Sequence, residues 1–346
     1  MEKRLLMLLL SFMLLTGCSS PARNDAVFSD VSIPGAEDRL VVFTSHRKEV
    51  WWPVIREFEE ETGIWVDVVE GGTNELLERL GAGGNAPAAD VMFGGGVESL
   101  QAHGELFLPY RPGAEGELDP RYRSENGIWT PFSALPIVLV YNTKLVEKNE
   151  IISWQDLMKK EFRGKIAFAD PRRSGSSFTA LMTMNAATGD PEFADRFADQ
   201  LEGRILESSG DVLAEVSDGT ALAGIALEEA ALRKIAEGAN IALAYPAEGT
   251  SAVPDGTAVV RGTQHPEAAE RFLEFTVDRD VQELLPKRFC RRPVLQNVAA
   301  DTLAAAGLPA PETLRLIDYN VQDAAVRQDA VLMSWSFRLG GEEGAK

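Results

Sequence analysis

The chain reads as an α/β protein folded into two lobes, and three features predict this. Short apolar runs alternate with helical segments through most of its 346 residues, which implies βαβ units and a mostly parallel sheet. That length exceeds the roughly 250–300 residues at which a single hydrophobic core stops growing. Strand-to-helix turns rich in Gly, Ser and Thr recur four times, where open parallel sheets bind ligands.

The amino terminus stands apart from this pattern. Lys3 and Arg4 precede an apolar run, 5–15, which ends in Leu15-Thr16-Gly17-Cys18. A basic start and a short apolar stretch predict a secretory signal, because a membrane span needs about 20 apolar residues. The Leu-Thr-Gly-Cys ending resembles a bacterial lipobox, which implies cleavage before Cys18 and a lipid on that cysteine. Residues 1–17 are then the signal, and 18–37, rich in Ser, Pro, Ala and Asp, a flexible tether. The expected protein is exported and lipid-anchored to the cell envelope, on its periplasmic or extracellular face.

Regular periodicity begins at Arg39. Leu40-Val41-Val42-Phe43 is a short buried strand, and 50–61 carries a helical period through Trp51, Val54, Ile55 and Phe58, stopped by Gly63. A strand at 64–69 leads through Gly71-Gly72-Thr73 into a helix at 74–80. A strand at 89–93 leads through Gly94-Gly95-Gly96 into a helix ending near Leu100. The second region opens with a strand at 137–141, a helix around 154–160 and a strand at 165–169. Ser174-Gly175-Ser176-Ser177 then starts a helix that Gly189 stops. Strands follow at 221–227 and 241–245, with Glu228-Glu229 opening a helix between them. The chain crosses back through 246–256 to a strand at 257–261 and a helix at 266–276. Residues 300–338 read as mostly helical, packed across the lobes.

Composition limits the function. A net charge of −19 argues against a nucleic-acid binder or a basic membrane-surface module. It leaves a small anionic ligand open, because local donors decide a site. With Cys18 committed to lipid, Cys290 is the other of two cysteines, so no disulfide framework is expected. Arg288, Arg291 and Arg292 would lower its pKa, but no histidine is near in sequence, and an inert packed thiol is expected.

The candidate chemistry lies in the four turns: Thr44-Ser45-His46, Gly71-Gly72-Thr73, Gly94-Gly95-Gly96 and Ser174–Ser177. Helix N-termini offer free N–H groups and partial positive charge, and serine hydroxyls add donors without bulk. One such turn is commonly only a capped helix start; four point to a cleft. The Ser174 turn, preceded by Arg172 and Arg173, has three hydroxyls where a cap needs one. It suits a phosphate, phosphonate or carboxylate. His46 reads equally as a ligand contact or a structural residue. His103 and His265 receive no role, no cluster has zinc spacing, and Glu228-Glu229 fits a helix first turn better than acid–base work. No nucleophile elbow, P-loop or dinucleotide fingerprint stands out. No enzyme activity, metal or cofactor is expected.

In this order the segments 39–297 resemble the extracellular solute-binding proteins of bacterial ABC importers. The closest likeness is to the ferric-iron, 2-aminoethylphosphonate and sugar-phosphate branch. The likeness rests on Val42-Phe43-Thr44-Ser45-His46, Gly71-Gly72-Thr73-Asn74-Glu75-Leu76 and Ala89-Asp90-Val91-Met92-Phe93-Gly94-Gly95-Gly96. Later come Ala169-Asp170-Pro171 before the Ser174 turn, Asp218-Gly219, and Tyr245-Pro246-Ala247-Glu248-Gly249-Thr250-Ser251.

The resemblance implies a type II periplasmic-binding-protein fold whose lobes close like a hinged clamp over crossing strands at 133–143 and 245–259. Lobe 1 is then 38–133 with 252–299, lobe 2 is 134–251, and 300–346 is a helical segment packing on both. It implies ligand contacts at Ser45, His46, Thr73, Gly96, Ser174, Ser176, Ser177, Glu229 and Glu248. It also implies a membrane permease as partner, and a monomer is expected.

The implied solute is a sugar phosphate, another organophosphate or a phosphonate. Ferric iron is the alternative, through His46; its binders usually offer neighbouring tyrosines near Tyr245, which here precedes proline. A ligand-sensing lipoprotein for a membrane receptor would have the same fold and site. An exported phosphate-ester hydrolase would need a metal cluster or an activated nucleophile.

Overall fold

The computed structural model describes Gly35 and residues 38–83, 89–298 and 300–339. The expected signal, the tether and Cys18 lie outside the described residues.

The first half begins as βαβ units. Strand β1 (Leu40–Thr44) leads to α1 (Lys48–Thr62), β2 (Val66–Glu70), α2 (Thr73–Gly81), β3 (Val91–Gly96) and α3 (Val97–Ala102). Helix α1 buries Val50, Trp51, Val54, Ile55 and Phe58 along one face, the stripe its period predicts. Gly63 ends it in the left-handed region at φ 71°, with its N–H on the Glu59 carbonyl. β4 (Phe107–Leu108) and the long β5 (Thr130–Asn142) follow.

The second half contains β6 (Ile166–Ala167), α4 (Gly175–Thr188), α5 (Phe193–Gln200), α6 (Ser209–Asp218), β7 (Ala223–Leu227), α7 (Glu228–Ala236) and β8 (Ile241–Ala244). The chain returns through β9 (Ala252–Val260), α8 (Pro266–Thr276), α9 (Arg279–Phe289) and β10 (Arg292–Pro293). It closes with α10 (Ala300–Ala305) and α11 (Val321–Arg338).

The strand order is β2-β1-β3-β9-β5-β7-β6. β1 pairs in parallel with β2 and β3, and β9 runs antiparallel between β3 and β5. β5 changes partners along its length. Thr130–Pro136 pairs with β9, whereas from Ile137 onward it pairs with β7, and from Leu139 with β8. The strand therefore joins two sheets, and the open ends of both face one cleft.

Aromatic packing fixes the first sheet. Phe93 meets Phe132 and Phe272 edge-on at 4.9 and 5.3 Å, and Phe58 meets Phe272 at 5.0 Å. The second core gathers Trp154, Phe162, Phe168 and Phe197, and Trp335 of α11 joins it against Phe168. Helix α11 also packs on α3, so the carboxyl-terminal helix touches both halves.

Several elements differ from expectation. The segment around 154–160 forms 3₁₀ turns at Gln155–Met158 and Lys160–Phe162 instead of a helix. Its backbone is held from outside: Gln200 Nε2 donates to the Leu157 and Lys159 carbonyls at 2.9 Å. The expected strand at 165–169 shortens to β6. β9 starts at Ala252, five residues early, despite Pro254. Pro254 lies beyond the last β3 pair, Gly96 with Asp255, where only β5 flanks β9. Helices α5, α6 and α9 add to the elements expected from periodicity.

Candidate ligand-binding cleft

The strand ends and helix starts enclose a cavity of about 320 Å³, within the range of small-ligand sites. One wall comes from the ends of β1 and β3 and the start of α2: Ser45, His46, Gly72, Thr73, Gly95 and Gly96. The other comes from the starts of α4 and α6: Arg173, Ser174, Gly175, Ser176, Ser208 and Ser209. Leu135, Leu227, Val253, Pro254, Asp255 and Arg291 lie between them.

Glycine makes the first wall possible. At Gly95, φ 90°, a Cβ would stand 2.7 Å from Thr73 Cγ2; at Gly94, φ 110°, it would stand 2.8 Å from Ser45 Oγ. Any side chain there would push α2 and the β1 end apart.

The helix starts present donors. α2 begins at Gly72 without a side-chain cap from that residue. At α4, Ser174 Oγ accepts the Ser177 N–H and the Ser177 hydroxyl, and lies 3.1 Å from Ser176 Oγ. At α6, Ser208 Oγ accepts the Asp211 N–H. Three helices of nine or more residues thus aim their positive ends at one volume.

The floor is a buried charged group. Asp255 accepts the Ser133 N–H and hydroxyl at 2.8 Å and is clasped by Arg291 Nη1. Arg291 Nη2 lies 3.8 Å from Glu229, whose other oxygen faces Arg233 at 3.4 Å. Arg291 Nε, Glu229 Oε2 and His46 Nε2 are buried and make no hydrogen bond. Burial, then the Arg291 charge, holds His46 well below its usual pKa, so the ring is neutral. It stands edge-on against Phe93 at 4.5 Å, with Asp255 Oδ2 3.6 Å away. Burial pushes the Asp255 carboxyl up, against the pull of Arg291 and Ser133.

Of the nine expected contacts, Ser45, His46, Thr73, Gly96, Ser174 and Ser176 line the cavity. Ser177 is buried beneath the turn and bonds to Ser174. Glu229 reaches the floor beside Arg291 without lining the cavity. Glu248 is elsewhere: its carboxylate accepts the Trp154 and Gln155 N–H groups. That corrects the expectation of a ligand contact there. Cys290 also differs, since burial, then Glu229, raises its thiol pKa while Arg291 and Arg292 are held by Asp255 and Glu228. Sequence reasoning missed Asp255 and Arg291 as site residues. Asp255 sits between Pro254 and Gly256, a sequence that reads as loop, and Arg291 stands beside Cys290, outside the four ligand-binding turns.

Tyr245 belongs to a second buried group. Its hydroxyl donates to Glu228 Oε1, and Arg292 pairs with both Glu228 oxygens at 2.7 and 2.8 Å. Burial and the Glu228 charge raise the phenol pKa.

Residues 40–289 match the profile of a family described as bacterial extracellular solute-binding protein. The chain belongs to that family. Among relatives of this solute-binding protein, Iron uptake protein A1 of Synechocystis sp. is 26% identical over 85% of each chain. A putative 2-aminoethylphosphonate-binding periplasmic protein of Salmonella typhimurium is 24% identical over 92% of this chain and 94% of its own. The solved structure of the periplasmic binding protein AfuA from Actinobacillus pleuropneumoniae, with exogenous fructose-6-phosphate bound, superposes with a TM-score of 0.79. It is 21% identical and covers 87% of this chain and 98% of its own. The solute-binding protein therefore has the type II periplasmic-binding fold expected of it.

Proposed function

We propose that this solute-binding protein captures a small organophosphate or phosphonate between two lobes and delivers it to the membrane permease of an ABC importer. The observation that carries the reading is the convergence of the α2, α4 and α6 starts, with Arg173 and Arg291, on one hydroxyl-lined cavity. Oriented N–H groups and hydroxyls hold a phosphoryl group without altering it. The ligand contacts proposed are Ser45, Thr73, Gly96, Ser174 and Ser176, with His46 as a neutral partner. Binding both walls at once favours the closed form, because contacts to the second wall exist only there.

Ferric iron is the rival, and several relatives are named for iron uptake or iron binding. Iron binding needs anionic oxygens, yet burial and Glu228 hold the Tyr245 phenol protonated against the pull of Arg292, and no tyrosine lines the cavity among the described residues. The test is thermal denaturation against hexose phosphates, phosphonates, inorganic phosphate and ferric citrate. A rise in melting temperature with phosphoryl ligands supports the reading; a rise with ferric citrate alone, with a coloured protein, rejects it. The reading includes a lipid anchor at Cys18, tested by fatty-acid labelling of the wild type and Cys18→Ala.

A further inference from the structure

The charge balance of the cavity assigns the ligand's other end. Resting on the phosphoryl reading above, we propose that the cleft selects solutes whose non-phosphoryl end carries hydroxyl groups and rejects those that carry an ammonium. Arg291 and Arg173 set this choice.

The acidic residues lining the cavity, among the described residues, are Glu207 and Asp255. Each already faces an arginine: Arg173 Nη1 lies 3.2 Å from Glu207, and Arg291 Nη1 clasps Asp255. Behind the floor, Glu229 lies between Arg291 and Arg233, and Glu228 is paired with Arg292. His46 is neutral and adds no negative charge. The carboxylates that line the cavity or lie behind its floor therefore have their cations. Glu98, behind the Gly96 wall, has none, but it does not line the cavity and one of its oxygens accepts from Thr179 and Tyr319. The three helix starts add positive potential.

A buried ammonium needs an uncompensated anion. Here it would meet guanidinium groups instead, a like-charge contact that discriminates between solutes. A hydroxyl fits the same surface, because it donates and accepts in one group. Ser45, Thr73, Ser208 and Ser209 offer the same double character along the walls. Arg291, which lines the cavity, adds a buried Nε–H that makes no hydrogen bond. A ligand hydroxyl accepts that N–H with a small shift of the side chain.

The test uses two nearly isosteric probes, 2-hydroxyethylphosphonate and 2-aminoethylphosphonate, titrated calorimetrically into the full chain at pH 7.5. The hydroxyl probe should bind about tenfold tighter or better, since like-charge contact opposes the amine. Arg291→Gln, which frees the Asp255 charge, should narrow or reverse that preference. Arg291→Gln risks misfolding, so Arg173→Gln on the exposed rim serves as the second variant and should shift the ratio the same way by a smaller factor. Equal or tighter binding of the amine by the wild type overturns the inference while leaving the phosphoryl reading intact. A ratio unmoved in both folded variants also overturns it. If neither probe nor any phosphate ester binds, the phosphoryl reading fails and the inference with it.

Discussion

Asn74 and Arg172 tie the two walls of the cleft at its mouth. Asn74 Nδ2, in α2, donates to the Arg172 carbonyl, ahead of α4, at 3.1 Å. Deeper in, Thr179 Oγ1 of α4 donates to Glu98 Oε1 of α3 at 2.5 Å. These bonds run between elements that share no sheet pairing, so they hold the closed arrangement rather than either wall.

Asn74→Ala should therefore speed ligand release more than it slows capture. A neutral hydrogen bond contributes about 0.5–1.5 kcal/mol net, roughly a two- to tenfold faster off-rate. Stopped-flow measurement with a bound phosphate ester reads this; an unchanged off-rate removes the mouth bond from the closed state.

The Ser174 turn divides into two roles. Ser176→Ala should weaken a phosphoryl ligand by about 1.5–3 kcal/mol, the range for a hydrogen bond to a charged group. Ser177→Ala should leave affinity nearly unchanged and lower stability instead, because its hydroxyl is spent on Ser174. Titration calorimetry and urea unfolding on both variants separate the roles, and equal losses of affinity would contradict them.

Glu98 makes stability depend on pH. It is buried, one oxygen accepts from Thr179 and Tyr319, and the other has no partner. Burial raises its pKa above the ordinary carboxylate value, so the folded state holds the proton more tightly than the unfolded chain. Its contribution is then fully present below the unfolded pKa and is lost as pH rises through the folded one. Glu98→Gln mimics the protonated form. The variant should match the wild type near pH 4.5 and exceed it in urea midpoint at pH 8. A difference that does not grow with pH contradicts the assignment.

Arg292 and Glu228 form a buried pair joining β10 to the first turn of α7. Arg292→Ala strands the carboxylate and should cost about 3–5 kcal/mol. Glu228→Gln in the same chain should recover much of that loss, as measured by urea unfolding. An Arg292→Ala loss below about 1 kcal/mol would place the pair outside the stability of the fold.

The parts of this protein that read from sequence are those governed by local period and turn chemistry. The stripe from Val50 to Phe58 and the stops at Gly63 and Gly189 appear as expected. So do the glycine and serine turns, because each is decided within a few residues. Most of the cavity wall was therefore legible. The floor was not, because Asp255 and Arg291 meet only through the pairing of β9 with β5 and the turn after α9. Glu248 erred for the same reason: nothing near it in sequence shows that Trp154 and Gln155 claim its oxygens. The 3₁₀ turns at 155–162 likewise depend on Gln200, forty residues away.

The central claim is that the cleft holds an intact phosphorus-containing anion. Native mass spectrometry of the protein purified from its own host weighs whatever stays bound. The account predicts an added mass matching a small phosphate ester or phosphonate, lost together with the Ser176→Ala substitution. An added mass of one ferric ion, with or without citrate, would contradict it.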